Sequence, residues 1–483
     1  MINLEKYLKE NIKKYSAASL FIGDSGAGYK YNDIIKISQR KVFSSTPKCL
    51  FFCVLSNDVD ALAGYLSIMA AGHSLLVLPK DIKKNVLLDL IQAYRPSFIW
   101  LPTIRSIDLD LDKVEAELEL GIYSLWNLRL SSANLDESLS LLLSTSGSTG
   151  SPKFVRLSQD NVFSNAKSIA AYLKLDQNDL PITTLPPSYT YGLSIIHSHI
   201  LVGATIAVTD KTFFDREFWD FFRSVKATSF GGVPYHYEIL RKLRFTKMNL
   251  PSLRKLTQAG GGMEPELTRD FAAFARDHGI EYYTMYGQAE ATARMSFVPP
   301  ERAIAKAGSI GVAIPGGCFW LEDENGQVIQ DEYVAGELVY SGPNVSMGYA
   351  SSHEDLAKGD ERRGILRTGD LAKRDQDGYY YIVGRLKRLI KLFGHRTNLQ
   401  DIERFLLGEG HEAVCSGQDD LLEIYVKDHE KDAGKKIKQM VCNHLGVALQ
   451  GVIVFSVEDF PRSDSGKIQY GNFTTDLGAQ KIA

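Results

Sequence analysis

Residues 49–102 read CLFFCVLSNDVDALAGYLSIMAAGHSLLVLPKDIKKNVLLDLIQAYRPSFIWLP, and the order of their apolar runs decides the fold class. CLFFCVL, SLLVLP and SFIWLP are unbroken apolar stretches of strand length. Between them DALAGYLSIMAAG, which stops at glycine, and VLLDLIQAYRP have helical length and spacing. Such alternation predicts a parallel or mixed sheet with helices on its faces, because strands buried on both sides lose the polar alternation of a half-exposed strand.

Outward from this stretch the alternation recurs in NVFSNAKSIAAYL, ITTLP, LSIIHSHILVGA, TIAVTD and FWDFFRSVKATSF. After about Lys306 the texture becomes alternating and glycine-punctuated, as in CFWLEDENGQVI, GELVYSG and YYYIVGR, which predicts antiparallel strands and hairpins. From Leu386 to Ala483 two helical segments, LQDIERFLLGEG and GKKIKQMVCNHLG, alternate with the strands LLEIYVKD and GVIVFSV. The expected fold is therefore α/β and α+β: a large N-terminal domain, residues 1–385, of helix-covered mixed sheets with a β-rich subdomain, and a small α+β domain, residues 386–483. The boundary is read within GRLKRLIK, and no internal repeat or low-complexity tract interrupts either part.

The chain has 483 residues, more than one hydrophobic core usually holds, with 44% hydrophobic and 23% charged residues. A formal net charge of -3 gives no electrostatic reason to expect nucleic acid or an anionic membrane, so the expected partner is a small molecule. Five scattered cysteines, Cys49, Cys53, Cys318, Cys415 and Cys442, form no C-x-x-C pair and are expected to be reduced. The N-terminal MINLEKYLKENIKKYS has an amphipathic helical pattern rather than that of a signal peptide, and no stretch approaches the roughly 18 apolar residues of a membrane span. A cytoplasmic enzyme is the expectation.

LLLSTSGSTGSPKFVRLS, Leu141 to Ser158, begins as a buried strand and gives way to hydroxyls and glycines. Glycines let backbone N–H groups approach a ligand, Ser and Thr add donors, and Lys153 adds a point charge, a composition that suits a polyphosphate. A plain flexible surface loop is the alternative. The spacing is not that of a P-loop, since Gly150 precedes Lys153 by three and Phe154 follows it.

STSGSTGSPKFVRLS resembles the phosphate-binding signature of the adenylate-forming superfamily, which comprises acyl-CoA synthetases, peptide-synthetase adenylation domains and beetle luciferases. Further motifs follow in that family's order: QAGGGMEPEL (Gln258 to Leu267), YTMYGQAEATARMS (Tyr283 to Ser296), GELVYSGPNVSMGYA (Gly336 to Ala350), LRTGDLAKRDQDGYYYIVGRLKRLIKLFGHRTNLQDIE (Leu366 to Glu403) and PRSDSGKIQY (Pro461 to Tyr470). The resemblance runs from about residue 10 to residue 470 and is nearest to the acid–CoA ligase type.

The resemblance implies that a carboxylate attacks the α-phosphorus of ATP and expels pyrophosphate, with the protein neutralising and aligning two anions. Thr145, Ser146, Gly147, Ser148, Thr149, Gly150 and Lys153 would then hold the β- and γ-phosphates, and Glu290 would hold Mg²⁺. Gly260, Gly261 and Gly262 would form the adenine loop, with Tyr286, Gly287 and Gln288 beside the base and Tyr286 stacked on it. Asp370 would accept from both ribose hydroxyls, and Arg385 would reach ribose or phosphate oxygens. Lys467 would be the catalytic lysine, and Lys387 the hinge about which the small, mobile domain turns between the two half-reactions. The segment Lys391 to Arg396 would face the pantetheine tunnel. One departure is Ala289, where the family usually has threonine; a lost hydroxyl of that kind costs about 0.5–3 kcal/mol. An inactive AMP-binding scaffold remains the minor alternative.

LPPSYTYGLSII, Leu185 to Ile196, resembles the motif beside the acyl pocket, yet it carries Tyr191-Gly192-Leu193-Ser194 where amino-acid-activating relatives carry an aspartate. Burying an unpaired ammonium costs several kcal/mol, so an acid without an α-amino group is expected. Tyr189, Phe230, Gly231 and Gly232, with Val233, are the candidate pocket residues. The acceptor thiol is coenzyme A or, alternatively, a phosphopantetheine arm on an acyl carrier protein.

Overall fold

The structure, a computed structural model, describes residues 14–482 other than 112–114, 131–132, 145–152, 393–394, 428–430, 447–448, 462–467, 469, 471–472 and 474–478, and omits the side chains of 395, 396, 431 and 432. The chain divides into two compact units, one built from residues up to Phe319 with Tyr340–Leu366, the other from Trp320–Val339 and Arg367–Ala483.

The first unit is organised on an eight-stranded sheet whose order is Gly348–Ala350, Phe154–Ser158, Leu139–Ser144, Ser74–Pro79, Leu50–Leu55, Phe98–Pro102, Tyr123–Asn127, Leu118–Leu120. Its four central strands are parallel, and they are the apolar runs of residues 49–102 with Leu139–Ser144 beside them. Period-two alternation sends Phe51 and Cys53 into one core cluster and Leu50, Phe52 and Val54 into another, so both faces are covered. The helix Val59–Ala70 begins where Asp58 accepts from the amides of Asp60 and Ala61 at 2.8 and 3.1 Å. It lies hard against the sheet at Gly64, where a Cβ would come within 2.2 Å of the Trp100 ring.

A second sheet in this unit has Ser229–Gly232, Lys255–Gln258 and Glu281–Tyr286 in parallel, followed by Ser296–Val298 and Val312–Ala313 antiparallel. Helices Pro234–Lys242 and Pro265–Asp277, each with proline in its first turn, make the crossovers between the parallel strands. ITTLP, read as part of the alternation, forms no strand of its own: Pro181, just before it, bridges to Ser229 and Ile182 bridges to Ala207.

The glycine-punctuated segment forms the four-stranded sheet Cys318–Glu322, Gly336–Ser341, Ile365–Arg374, Tyr380–Arg385. Beyond it come the hairpin Leu389–Leu392 with His395–Asn398 and a sheet ordered Ala413–Gln418, Leu421–Val426, Val452–Ser456, Gln480–Lys481. Its parallel pair, Leu421–Val426 with Val452–Ser456, is joined through the helix Lys431–Leu445, and Leu406, Ile424, Ile437 and Val454 share its core. The expected α/β body and α+β C-terminal part are both present. Among the described residues no helix is long and apolar enough to cross a membrane.

Candidate active site

In the second sheet of the first unit, three motifs meet at one edge for a topological reason. Gly232, Gln258 and Thr284 stand in register on adjacent parallel strands, so Gly231–Gly232, Gln258–Gly262 and Tyr286–Glu290 all leave the sheet at its carboxyl edge. Ligands of open α/β sheets bind at that edge. Gly260 has a φ of +87°, and a Cβ there would come within 2.4 Å of the Tyr189 hydroxyl, so glycine is required on two counts. Gln258 donates from Nε2 to the Gly261 carbonyl at 3.0 Å and steadies the turn, while Gly261 and Gly262 are exposed.

Gly231 faces Tyr191: a Cβ there would lie 2.8 Å from the Tyr191 hydroxyl, which in turn donates to the Thr257 carbonyl at 3.0 Å. Phe230, one residue earlier, points to the other face, where its ring packs at 5.2 Å from Phe213 and 5.8 Å from Phe245 in the core. Gly232 lies against His236 and Tyr237. Tyr189 precedes the helix Thr190–Leu201 and is half-buried, with its ring 6.3 Å from that of Tyr191.

The turn after Glu281–Tyr286 is tight. A Cβ on Gly287 would stand 1.6 Å from the Ala293 carbonyl oxygen, and the chain passes through Thr292 and Ala293 at φ +62° and +128°. Gln288 reaches back to the Tyr286 hydroxyl at 3.3 Å. Ala289 packs against the apolar core, and Glu290 projects from a single 3₁₀ turn. The Glu290 carboxylate accepts from the Tyr349 hydroxyl at 2.8 Å, and Lys153 Nζ lies 3.8 Å from the centre of the same ring. Tyr349 arrives there because Gly348–Ala350 pairs with Phe154–Ser158, the strand that follows Lys153. Burial and the neighbouring Glu290 push the Tyr349 phenol up to about 12, so it stays a donor. Among the described residues no cation pairs with Glu290, which leaves a carboxylate oxygen suited to a hard cation that also takes phosphate oxygens. Tyr349 was missed as a site residue by sequence reasoning, although it lies in the quoted segment GELVYSGPNVSMGYA.

In the second unit Asp370 and Arg385 are register partners on antiparallel strands. Asp370 is 2% exposed and its Oδ1 accepts from Arg385 Nε at 2.7 Å. The backbone of this corner is fastened by Thr368, which donates to the Leu338 carbonyl at 2.6 Å and accepts from the Asp370 amide at 3.1 Å. Lys387 is exposed on a 3₁₀ turn. Its neighbour Arg388 is buried, paired with Glu403 at 2.8 Å and set 3.9 Å from the centre of the Tyr470 ring. Thr145, Ser146, Gly147, Ser148, Thr149, Gly150 and Lys467 lie outside the described residues, as do the side chains of His395 and Arg396.

The sequence model of a family described as AMP-binding enzyme matches residues 102–350. Oxalate–CoA ligase of Arabidopsis thaliana is 30% identical over 68% of this chain and 66% of its own length. The 2-succinylbenzoate–CoA ligase of Geobacillus sp. (strain WCH70) is 28% identical over 69% of this chain and 68% of its own. The aligned part thus spans about two thirds of these relatives. In structure, O-succinylbenzoate coenzyme A synthetase of Bacillus subtilis in complex with ATP and magnesium ion superposes with a TM-score of 0.77, at 21% identity, over 96% of this chain and 98% of that one.

Proposed function

This chain belongs to the AMP-binding enzyme family, and from that premise we propose that it is an acid–thiol ligase that activates a carboxylic acid with ATP and passes the acyl group to coenzyme A. A carboxylate oxygen of the acid forms a bond to the α-phosphorus while the bond to the bridging oxygen breaks, and pyrophosphate leaves. The thiol sulfur then bonds to the acyl carbon, the bond to AMP oxygen breaks, and the thiol proton passes to solvent. The observation that carries this reading is the Lys153–Tyr349–Glu290 arrangement, which brings a cation and an acid from two distant motifs onto one ring.

Lys153, with the hydroxyls and amides of 145–150, would hold the β- and γ-phosphates and so reduce the repulsion that the incoming carboxylate meets. Glu290, whose carboxylate accepts from the Tyr349 hydroxyl, would hold magnesium, which when bound supplies charge neutralisation to the phosphates. Gly260, Gly261, Gly262, Tyr286, Gly287 and Gln288 would form the adenine side, Asp370 and Arg385 the ribose side. Lys467 would bridge the attacking carboxylate and the α-phosphate. The functional boundary is proposed at 385/386, with Lys387 as the pivot of residues 386–483. An acid without an α-amino group is supported by Gly192, which stands where amino-acid-activating relatives carry the aspartate that an ammonium needs. The fully buried thiols of Cys53 and Cys415 are consistent with a reducing compartment, and a cytoplasmic location is the companion proposal.

ATP–pyrophosphate exchange across a panel of carboxylic acids tests the reading, followed by thioester formation with coenzyme A and, separately, with a carrier protein. Acid-dependent exchange that Glu290→Gln and Lys467→Ala abolish supports it. Nucleotide binding without exchange for any acid would leave only a scaffold, and exchange at the wild-type rate in Lys467→Ala would remove the small domain from the first half-reaction.

A further inference from the structure

Arg294 is 2% exposed, and its guanidinium has no acidic partner among the described residues. A buried arginine stays charged, and buried charges are ordinarily paired. Here Nε donates to Ser194 Oγ at 3.2 Å, and one terminal nitrogen donates to the Tyr172 hydroxyl at 3.1 Å and lies 3.2 Å from Met285 Sδ. The Tyr191 ring lies 4.9 Å from Cζ, and the other terminal nitrogen donates to no side chain or carbonyl of the described residues. All of these partners are neutral. Burial raises the phenols of Tyr172 and Tyr191 despite the guanidinium beside them, so neither becomes a phenolate counter-ion near neutral pH. The buried carboxylate of Asp179 is taken by Lys255 at 2.8 Å.

The fold holds this cation in place deliberately. The Arg294 carbonyl accepts from Asn165 Nδ2 at 2.8 Å and from Asn344 Nδ2 at 3.1 Å. The two residues before it, Thr292 and Ala293, take positive φ values that side chains other than glycine rarely adopt. The aromatic cluster around the guanidinium, with Tyr172, Tyr191 and Met285, also includes Tyr189, Val233 and Ala259, which flank the glycine turns at the carboxyl edge of the sheet.

We propose that Arg294 binds a second carboxylate of the acid substrate, so that this chain acts on dicarboxylic acids. The inference rests on the acid-activating reading above and names its substrate class. One carboxylate is consumed as the nucleophile, and the other supplies the charge that the guanidinium lacks, through the planar geometry that arginine presents to carboxylates. Because the guanidinium is buried, the anion it accepts is desolvated and a neutral replacement leaves the cation unpaired, which is the condition for steep discrimination.

The test is acid-dependent pyrophosphate exchange by the full chain with aliphatic and aromatic dicarboxylic acids, each paired with its monomethyl ester, for wild type, Arg294→Met and Arg294→Lys. The expected result is a wild-type preference for diacid over ester of about 100-fold in kcat/KM, a collapse of that preference in Arg294→Met through loss of diacid activity alone, and a partial preference in Arg294→Lys. Thermal unfolding of both variants checks that they fold, and the wild-type preference stands as a test that needs no variant. A wild type that uses esters as well as diacids, or an Arg294→Met variant that loses both equally while still folded, overturns the proposal. Absence of exchange with every acid overturns the parent reading instead.

Discussion

The Tyr349 hydroxyl donates to Glu290 at 2.8 Å while Lys153 Nζ rests 3.8 Å from the centre of the same ring. One phenol thus orients an acid and a cation that are 137 positions apart in sequence, 290 minus 153. Removing only the hydroxyl separates the two roles. Tyr349→Phe keeps the ring for Lys153 and is expected to lower kcat/KM for ATP about 10- to 100-fold, the value of a hydrogen bond to a charged group. Steady-state kinetics at varied magnesium concentration would check it; unchanged kinetics would mean that Glu290 needs no such orientation.

Gly287 has no room for a methyl group, because the atom in the way is the backbone oxygen of Ala293 rather than a movable side chain. Gly287→Ala is expected to destabilise the first unit by about 1–3 kcal/mol through overpacking and to abolish exchange by displacing Glu290. Thermal unfolding and exchange, measured on the same preparation, decide it.

Gly231→Ala would bring a Cβ to 2.8 Å from both Ile195 Cδ1 and the Tyr191 hydroxyl, closer than a Cβ contact can be, so these two side-chain ends must shift. The expected outcome is a shift toward smaller acids, with KM for the largest accepted acid up roughly 10-fold or more and KM for ATP unchanged. A uniform loss for all acids would place Gly231 away from the acyl group.

Asp370→Asn removes one charge of an ion pair whose arginine is 57% exposed. Stability is expected to change by less than about 1 kcal/mol, as for solvent-screened pairs, while KM for ATP rises about 10-fold or more. Unaltered ATP affinity would show the ribose contact to be elsewhere.

Burial pushes the imidazoles of His197 and His236 down to about 4 from an ordinary value near 6.5. The unfolded chain therefore takes up protons below pH 6.5 that the folded chain refuses until about pH 4. The stability contributed by these neutral rings is complete above pH 6.5 and is lost as pH falls toward 4. Urea midpoints measured at descending pH would show this acid limb, and His197→Gln, which keeps a polar partner for the Tyr65 hydroxyl, should flatten it. A midpoint independent of pH over that range would contradict the assignment.

The helix-covered sheets were legible in residues 49–102, because a strand buried on both faces must be apolar throughout, and that is a local property of the chain. The motifs around Lys153 and Glu290 were legible for a related reason. Each is a short run of residue types matched to one task, and the family match over residues 102–350 bears out the resemblance they carry, while the roles of these residues and of Asp370 are proposals.

What only the tertiary structure decided is which side chains those motifs meet. Phe230 and Gly231 are neighbours on one strand, and their alternation is sequence-readable, but the core lies on the Phe230 side only because the aromatic rings of Phe213 and Phe245 pack there. Tyr349 reaches Glu290 through the pairing of Gly348–Ala350 with Phe154–Ser158, strands almost two hundred residues apart. Arg294 looks in sequence like an ordinary surface charge after a turn. Its burial without an acidic partner among the described residues emerges only when Tyr172, Ser194 and Met285 converge on it, since desolvation and pairing depend on distances in space that a linear order of residues does not contain.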